Sequence, residues 1–426
     1  MHYDVVIVGG GAGGLELAAQ LGRKLGGREG RERVLLVDKM PFHIWKPTLH
    51  EVAAGTLDAH QEGLSYTVLA RRNHFSFVMG EFMALNAAQQ SIRLAAITNE
   101  AGKEVVPERS IGYRHLVLAL GSGSNSFGTP GIENAYLLES VRDAQRFHAD
   151  WLSACAHASY AEPRSLSVAI VGAGATGVEL SAELLEAHTM LQESQGSSQR
   201  FRLEINLIEG GDRILGGLPP RISEQAATAL ERKGVRVMTG TRVQALEPGE
   251  VITPDGPVAA DLIVWAAGIK ASDRNALLGL EVNRINQLVV DDRLRTSAPQ
   301  VYALGDCAAT PWVDGKTVPA RAQAAHQQGS YLTQVLYAAL KEGRFDEPFV
   351  YKDFGSLVSL GDNKGVGNLM GGLSGKNFFV QGLVAKWMYM SLHLMHHRAI
   401  LGTVKTAVLA LARLLQQRVS GRMKLH

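Results

Sequence analysis

The apolar residues near the N-terminus form two short runs separated by a helical pattern. The run Val5–Val8 has the length and β-branched content of a buried parallel strand. A glycine-rich stretch follows it, and apolar residues then recur at helical spacing at Leu15, Ala18, Ala19, Leu21 and Leu25. The second run, Val34–Val37, leads directly into Asp38. The pattern therefore predicts a strand–helix–strand unit at the start of the chain.

The same pattern recurs in the middle of the chain. Val168–Val171 leads into a second glycine-rich stretch and a helix, and Ile205–Ile208 then ends at Glu209. The polar stretch 192–202 lengthens the spacing between the glycines and this acid. Two copies of one strand–helix–strand unit indicate an α/β protein with two Rossmann-like domains. Such a protein binds two dinucleotides, or binds one and has lost the second site; all three glycines and the acid of the second copy favour two.

Each copy places three glycines in the spacing G-x-G-x-x-G. These are Gly9, Gly11 and Gly14 in the first copy and Gly172, Gly174 and Gly177 in the second. The first glycine permits a tight turn, the second lets backbone amides approach a pyrophosphate, and the third lets helix and strand pack closely. The phosphates then face the positive end of a helix, and the terminal acid accepts hydrogen bonds from ribose hydroxyls.

Glu209 also bears on the choice of nicotinamide cofactor. A carboxylate at the ribose position repels a 2′-phosphate and accepts from a 2′-hydroxyl, which favours NADH over NADPH. Arg213, four residues later, could soften this preference.

Two further segments place small or acidic residues beside a cofactor. The apolar run from Leu116 ends at Gly121, where the chain can turn tightly. A later run, Val301–Leu304, ends at Gly305 and Asp306 and is interpreted as a return to the first domain.

Pro319 is then expected to begin a helix. Its positive end would point at the cofactor, and one of its faces carries Gln323, His326 and Gln327.

The chain length predicts several domains. A length of 426 residues, of which 46% are hydrophobic, is ample for more than one core. The patterns divide the chain into residues 1–164 and 288–345 as two parts of the first dinucleotide-binding domain, 165–287 as the second, and 346–426 as a C-terminal region. The only cysteines, Cys155 and Cys307, form neither a disulfide framework nor a C-x-x-C pair, and no secretory signal precedes the first strand. A reducing, cytosolic environment is expected.

The C-terminal region is basic and amphipathic. Nine lysines and arginines follow Asp362 and no acidic residue does. The longest uncharged run, Trp387 to His397, is much shorter than the ~20 residues that span a bilayer, so amphipathic helices lying on an anionic membrane surface are predicted. From about Thr403, one helical face is apolar, and it could instead form a homodimer interface or core. No nucleic-acid motif accompanies the charges, and the segment itself contains no carboxylate or thiolate that would complete a metal site with His393, His396 and His397.

Taken together, the chain resembles the type II NADH:quinone oxidoreductases, the non-proton-pumping respiratory NADH dehydrogenases. The likeness rests on the two glycine patterns, on Leu304-Gly305-Asp306, on the helix Ala322-Gln323-x-Ala325-x-Gln327 and on the basic tail, and it covers essentially the whole chain. The resemblance implies FAD at the first glycine pattern, with Asp38, Gly121, Gly305 and Asp306, and NADH at the second, with Glu209. It implies a quinone, ubiquinone or menaquinone, beside Gln323 and Gln327, with Glu179 and Lys376 nearby.

The resemblance also implies a mechanism and a location. NADH reduces the flavin, NAD⁺ leaves, and a quinone is then reduced by two electrons to quinol without proton pumping. Water, Glu179 and His326 are candidate proton donors. The protein is expected at the cytoplasmic face of the inner membrane as a peripheral protein. Three alternatives stay open: a sulfide:quinone oxidoreductase, for which Cys155 and Cys307 are a poor cysteine pair, a soluble NADH oxidase, and a non-enzymatic flavoprotein redox sensor.

Overall fold

A computed structural model gives the fold of most of the chain. It describes residues 1–99, 101–162, 164–194, 196, 199–361, 365–370, 377–381, 391 and 394–419. Its helices, numbered in chain order, are α1 (Ala12–Leu25), α2 (Gly27–Arg33), α3 (Leu49–Ala54), α4 (Ala59–Glu62), α5 (Tyr66–Asn73), α6 (Val141–Tyr160), α7 (Ala175–Ser194), α8 (Pro220–Arg232), α9 (Ala322–Leu340), α10 (described over 394–401) and α11 (Thr403–Val419).

The first sheet is built on the N-terminal strand His2–Val8. This strand lies parallel to Val34–Asp38 on one side and to Arg109–Leu118 on the other. The remaining strands of the sheet are Ser76–Met79, Val301–Ala303, Ser91–Leu94 and Phe82–Asn86. Ser91–Leu94 pairs antiparallel with both Arg109–Leu118 and Phe82–Asn86. The apolar runs form fully buried strands, which share one core with residues of α1, α5 and α9. Val301–Ala303 pairs with Arg109–Leu118, so the chain returns to the first sheet after the second one.

The second sheet repeats the first on a smaller scale. Its five parallel strands, in spatial order, are Tyr136–Leu137, Leu262–Trp265, Ser165–Val171, Arg202–Ile208 and Val235–Met238. Because Tyr136–Leu137 pairs in this sheet and α6 packs into its core, residues 136–160 belong with the second domain. The sequence division at 165 assigned them to the first domain, since a two-residue strand carries no periodic signal.

Smaller sheets complete the fold. An antiparallel meander of Ala245–Glu247, Glu250–Thr253 and Gly256–Ala259 adjoins the second domain, and a C-terminal antiparallel sheet contains Ser356–Ser359, Gly365–Met370 and Asn377–Gln381. Four two-stranded pairs are Phe42–His43 with Leu64–Ser65, Ile97–Thr98 with Glu104–Val106, Gly123–Ser124 with Ile269–Lys270, and Leu288–Val289 with Ala308–Ala309.

The C-terminal helices differ in how they meet the rest of the molecule. α10 belongs to the core of the first domain: Ile400 is buried, and Arg23 and Asn73 donate hydrogen bonds to the carbonyls of Ala399 and Ile400. α11, by contrast, leaves Val404 and Val408 more than 60% exposed. Among the residues that the structure describes, no helix has the length and apolarity needed to cross a bilayer.

Candidate active site

The first glycine loop joins the N-terminal strand to α1. Gly9 has φ +104°, a conformation open to glycine, and a Cβ there would collide with the carbonyl oxygen of Ala119. A Cβ on Gly14 would collide with the carbonyl oxygen of Gly9, so the helix lies directly against the turn. At Gly11, the N-cap of α1, a Cβ would meet nothing within 4 Å, and no side chain caps the helix. The loop therefore leaves open space at a helix N-terminus, which fits an anionic pyrophosphate.

The second glycine loop repeats this geometry before α7. Gly172 has φ +100°, and a Cβ on Gly177 would collide with the carbonyl oxygen of Gly172. A Cβ on Gly174, like one on Gly11, would meet nothing within 4 Å. Both loops thus have the cradle that a dinucleotide pyrophosphate requires.

The two terminal acids hold their loops in the same way. Asp38 accepts hydrogen bonds from the amides of Gly10 at 2.6 Å and Met40 at 2.8 Å. Glu209 accepts from the amides of Ala173 and Gly211, both at 2.8 Å. Burial raises the pKa of Asp38 despite the bonds from its amide donors. Each acid therefore lies at the edge of its cradle, where a ribose would follow the pyrophosphate.

Gly121, Gly305 and Asp306 lie at the same edge of the first sheet as Gly9. They follow two neighbouring parallel strands, and both glycines have positive φ, +69° and +73°. The carboxylate of Asp306 accepts a hydrogen bond from the Ser122 hydroxyl at 3.0 Å. The structure thus brings together all the residues that the sequence assigned to the first dinucleotide.

Gln323 and Gln327 share one face of α9, as their spacing predicts, but both side chains bond the segment 352–355. The Gln323 amide donates to the carbonyl of Gly355 at 2.7 Å and accepts from the amide of Phe354. Gln327 makes a matching pair of bonds with the backbone of Lys352, at 2.8 and 3.0 Å. The helix itself begins at Ala322 rather than at Pro319, with Arg321 as its N-cap. Both glutamines therefore connect α9 to the C-terminal region.

Glu179 lies in a buried polar cluster between α7, α3 and the C-terminal sheet. Its side chain is 6% exposed, and it accepts a hydrogen bond from the amide of Ser359 at 3.1 Å. Burial raises its pKa to about 8, and burial lowers the pKa of His50, 3.6 Å away, to about 4. At neutral pH both groups are accordingly uncharged, so this contact is a proton-holding acid beside a neutral imidazole and not an ion pair.

A second buried acid, Glu16 on α1, was not singled out by the sequence analysis. Its carboxylate contacts Nδ1 of His326 on α9 and, at 2.6 Å, Nδ1 of His396 on α10. Glu16 and Glu179 each stand two residues after the third glycine of their repeat. That shared register, with an acid on the buried side of a helix, is the signal that could have identified Glu16.

Four further residues singled out by the sequence analysis are Lys376, His393, Cys155 and Cys307. Lys376 and His393 lie outside the residues that the structure describes. Cys155 and Cys307 are both buried free thiols, and burial raises their pKa to about 12 and about 11, as expected for cysteines that serve only in packing.

Comparison with known proteins places this geometry in context. Residues 3–329 match the family model described as pyridine nucleotide-disulphide oxidoreductase. The chain is 40% identical to the type II NADH:quinone oxidoreductase of Haemophilus influenzae, over 99% of this chain and 100% of that protein. It is 28% identical to the Staphylococcus aureus protein of the same name, over 86% and 90% of the two chains. Its fold matches that of NDH2 from Plasmodium falciparum in complex with NADH, with a TM-score of 0.82 and 18% identity over 99% of both chains.

Proposed function

Because the chain belongs to the pyridine nucleotide-disulphide oxidoreductase family and, within it, to the type II NADH:quinone oxidoreductases, we propose that its first glycine loop holds FAD and its second binds NADH. The protein is an enzyme that oxidises NADH and reduces a quinone. The proposal rests on one observation above all: two glycine loops of the same geometry, each with an open helix N-terminus and a terminal acid.

The residues for FAD are those at the carboxyl edge of the first sheet. Gly9, Gly11 and Gly14 would receive the pyrophosphate, Asp38 the adenosine ribose, and Asp306, beside Gly121 and Gly305, the ribitol chain. When bound, the flavin supplies the two-electron chemistry that joins NADH oxidation to quinone reduction. The protein contributes position and a helix dipole aimed at the anionic phosphates.

The second loop would bind NADH through Gly172, Gly174 and Gly177. Glu209 is held at the cradle's edge by two amides, so its carboxylate is positioned to accept from a 2′-hydroxyl and to repel a 2′-phosphate. We therefore expect NADH to be preferred over NADPH.

For the quinone, the proposal assigns Gln323 and Gln327 an indirect role. Since their amides bond residues 352–355, they would position the C-terminal region against the N-terminus of α9 rather than bind a quinone carbonyl themselves. Glu179, which carries a proton at neutral pH, would be one available proton donor. Lys376 remains a candidate from the family likeness alone.

We further propose that α11 lies on an anionic membrane surface on the cytoplasmic side. Val404, Val408, Leu411 and Leu415 form a face whose side chains are between 57% and 77% exposed. Exposed apolar side chains on one helix face with cations nearby are typical of interfacial helices. Deletion of residues 403–426 is the suitable test, because a longer deletion would also remove buried His396 and Ile400 from the first domain.

In that test, the shortened protein should stay yellow and folded but no longer sediment with vesicles containing phosphatidylglycerol. The point variant V408D should weaken sedimentation in the same direction. V105D, which changes an equally exposed valine on the first domain (62% exposed against 63%), is the matched control. Loss of a dimer instead, with unchanged vesicle binding, would assign the α11 face to a second copy of the chain.

The enzymatic proposal is tested by anaerobic mixing. The purified protein should contain FAD, lose its flavin absorbance on addition of NADH, and recover it within the turnover time on addition of a short-chain quinone. Bleaching by sulfide but not by NADH would favour a sulfide oxidoreductase. Recovery with dioxygen and not with quinone would favour a soluble oxidase, and recovery with neither would favour a redox sensor.

A further inference from the structure

The contacts of Glu16 extend into a continuous network of hydrogen-bonded side chains. The carboxylate bonds His326 through one oxygen and His396 through the other. His396 in turn contacts Nε2 of His43 at 2.9 Å through its own Nε2, and Nδ1 of His43 lies 2.9 Å from the carbonyl oxygen of Gly10. This network thus joins α9, α1 and α10 to the first glycine loop.

The carbonyl of Gly10 determines which nitrogens of His43 and His396 carry protons. A carbonyl only accepts, so His43 carries its proton on Nδ1. Burial, and secondly the nearby His396, hold the pKa of His43 well below its usual value, which leaves Nε2 as an acceptor. His396 must therefore donate from Nε2 to His43. The bond of His43 to Gly10 thus places a proton on Nε2 of His396.

Glu16 is ionised in this network. Burial alone would raise the pKa of Glu16, but bonds from His326 and His396 together lower it, so this acid is a carboxylate. Two carboxylate oxygens require a proton on Nδ1 of each histidine. His396, already protonated on Nε2, is then an imidazolium that balances the charge of Glu16. His326 is left with Nε2 as its exchangeable position, on a side chain that is 33% exposed.

We propose that Glu16 is a positioning residue for quinone reduction. It fixes the His326 ring so that Nε2 delivers the proton that this reaction consumes, and the positive charge of His396 on α10 balances the carboxylate of Glu16. The proposal rests on the proposed function and names a donor for it. In the balanced reaction, NADH, one proton and a quinone give NAD⁺ and quinol. NADH supplies both electrons and one hydrogen, so a single proton must be added, and His326 recovers it from water.

The position of His326 favours this role. It stands on α9 one residue before Gln327, which bonds Lys352 and is proposed to position the C-terminal region for quinone reduction. Glu16 is the first cause of the raised pKa of His326. A histidine backed by a buried carboxylate is a common arrangement for a proton donor. Within the described residues, further titratable groups near this cluster are Arg23, Asp38, Tyr66 and His397.

Histidine NMR titration of the full-length holoprotein tests the positioning directly and requires no turnover. With the His326 signal assigned from H326N, E16Q should lower its titration midpoint by about one pH unit, a tenfold loss of proton affinity. H396N should move the midpoint upward, since Glu16 would lose its compensating cation. R23K, which keeps the charge but weakens the contact of α10 at Ala399, should leave it in place. His188, on α7, is the internal reference.

The outcomes separate a positioning role from a purely structural one. If E16Q does not fold, E16D, which draws the carboxylate back from His326, should lower the midpoint by a smaller amount. An unchanged His326 midpoint in whichever of these variants folds would overturn the proposal. So would an H396N midpoint that moves downward, because the cluster would then not contain an imidazolium at His396.

Turnover gives the second readout. In the unmodified enzyme, kcat with a short-chain quinone should fall as pH rises through the His326 midpoint, and in E16Q the fall should come about one pH unit lower. Ferricyanide, which takes up electrons without protons, should not reproduce this shift. A quinone pH profile that E16Q leaves unchanged would contradict the proposal while the proposed function stands. Absence of quinone reduction in the unmodified protein would instead contradict the proposed function, and the NMR result would be unaffected.

Discussion

Glu16 and Glu179 occupy the same position in the two repeats, yet at neutral pH their surroundings leave Glu16 ionised and Glu179 protonated. Each is buried two residues after the third glycine of its loop. Glu16 lies between two histidines, which offset the effect of burial and lower its pKa. Glu179 has one backbone amide as donor and a neutral histidine at 3.6 Å, so burial prevails and raises its pKa to about 8.

The difference teaches that a repeat fixes where a side chain lies but not what it does. The partners of Glu16 come from residues 326 and 396, and those of Glu179 come from residues 50 and 359. All four are distant in the sequence and belong to segments outside the two repeats. The loops differ too among the described residues, since the first is bonded to α10 through His396 and His43 and the second has no bond to α10 there.

The largest effect should come from breaking the geometry that the repeats share. In G14A and G177A, the added methyl group would collide with the backbone of its own loop, at a cost of about 3 kcal/mol or more. G14A should be colourless after purification, whereas G177A should retain flavin and lose NADH oxidation. Absorbance spectra and thermal denaturation measure both, and retention of flavin by G14A would contradict the assignment of the first loop.

E16Q should be the next most destabilising change. Removing one member of a buried charged cluster leaves the imidazolium of His396 uncompensated, which costs about 3 kcal/mol at neutral pH. Since folding lowers the pKa of Glu16, its contribution is present above the unfolded value of 4.5 and is lost as pH falls toward the folded value. Denaturant unfolding at several pH values should therefore show the variant and the parent converging in acid. A constant difference would contradict this.

E179Q should behave in the opposite way and sharpen the comparison. Folding raises the pKa of Glu179 from 4.5 to about 8, so its contribution is complete below pH 4.5 and is lost as pH rises through 8. The glutamine variant, which is always neutral, should be more stable than the parent by roughly 2 kcal/mol at pH 9, less than the full linkage value because water can enter the opened site. Equal stabilities at pH 9 would show that Glu179 ionises freely in the folded protein.

Y66F should have the smallest effect and should be confined to the first loop. The Tyr66 hydroxyl donates to the carbonyl of Gly10 at 2.7 Å, and its loss should cost about 1 kcal/mol. Flavin should then dissociate about fivefold faster, which dilution with fluorescence detection can measure. Y331F removes a comparable hydroxyl bond to Glu347, away from the loop, and is the control. Equally accelerated flavin dissociation in both variants would contradict a local role for Tyr66.

How much could be predicted from the sequence depends on the range of each interaction. The two glycine loops and their acids were predicted because a strand, a turn and a helix leave a local signature. The spacing of Gln323 and Gln327 predicted their shared face, but not that the face meets residues 352–355. The strand at Tyr136 and the partners of Glu16 depend on contacts between distant segments, which no local pattern records.

The flavin content of G11A and G174A tests the central assignment most directly. A methyl group at either position meets no protein atom within 4 Å, so both variants should fold normally. Each methyl group would occupy the open space in which we propose that a pyrophosphate binds. The account predicts a reduced flavin-to-protein ratio in G11A alone, with G174A fully yellow and its KM for NADH raised. A colourless G174A beside a fully yellow G11A would contradict it.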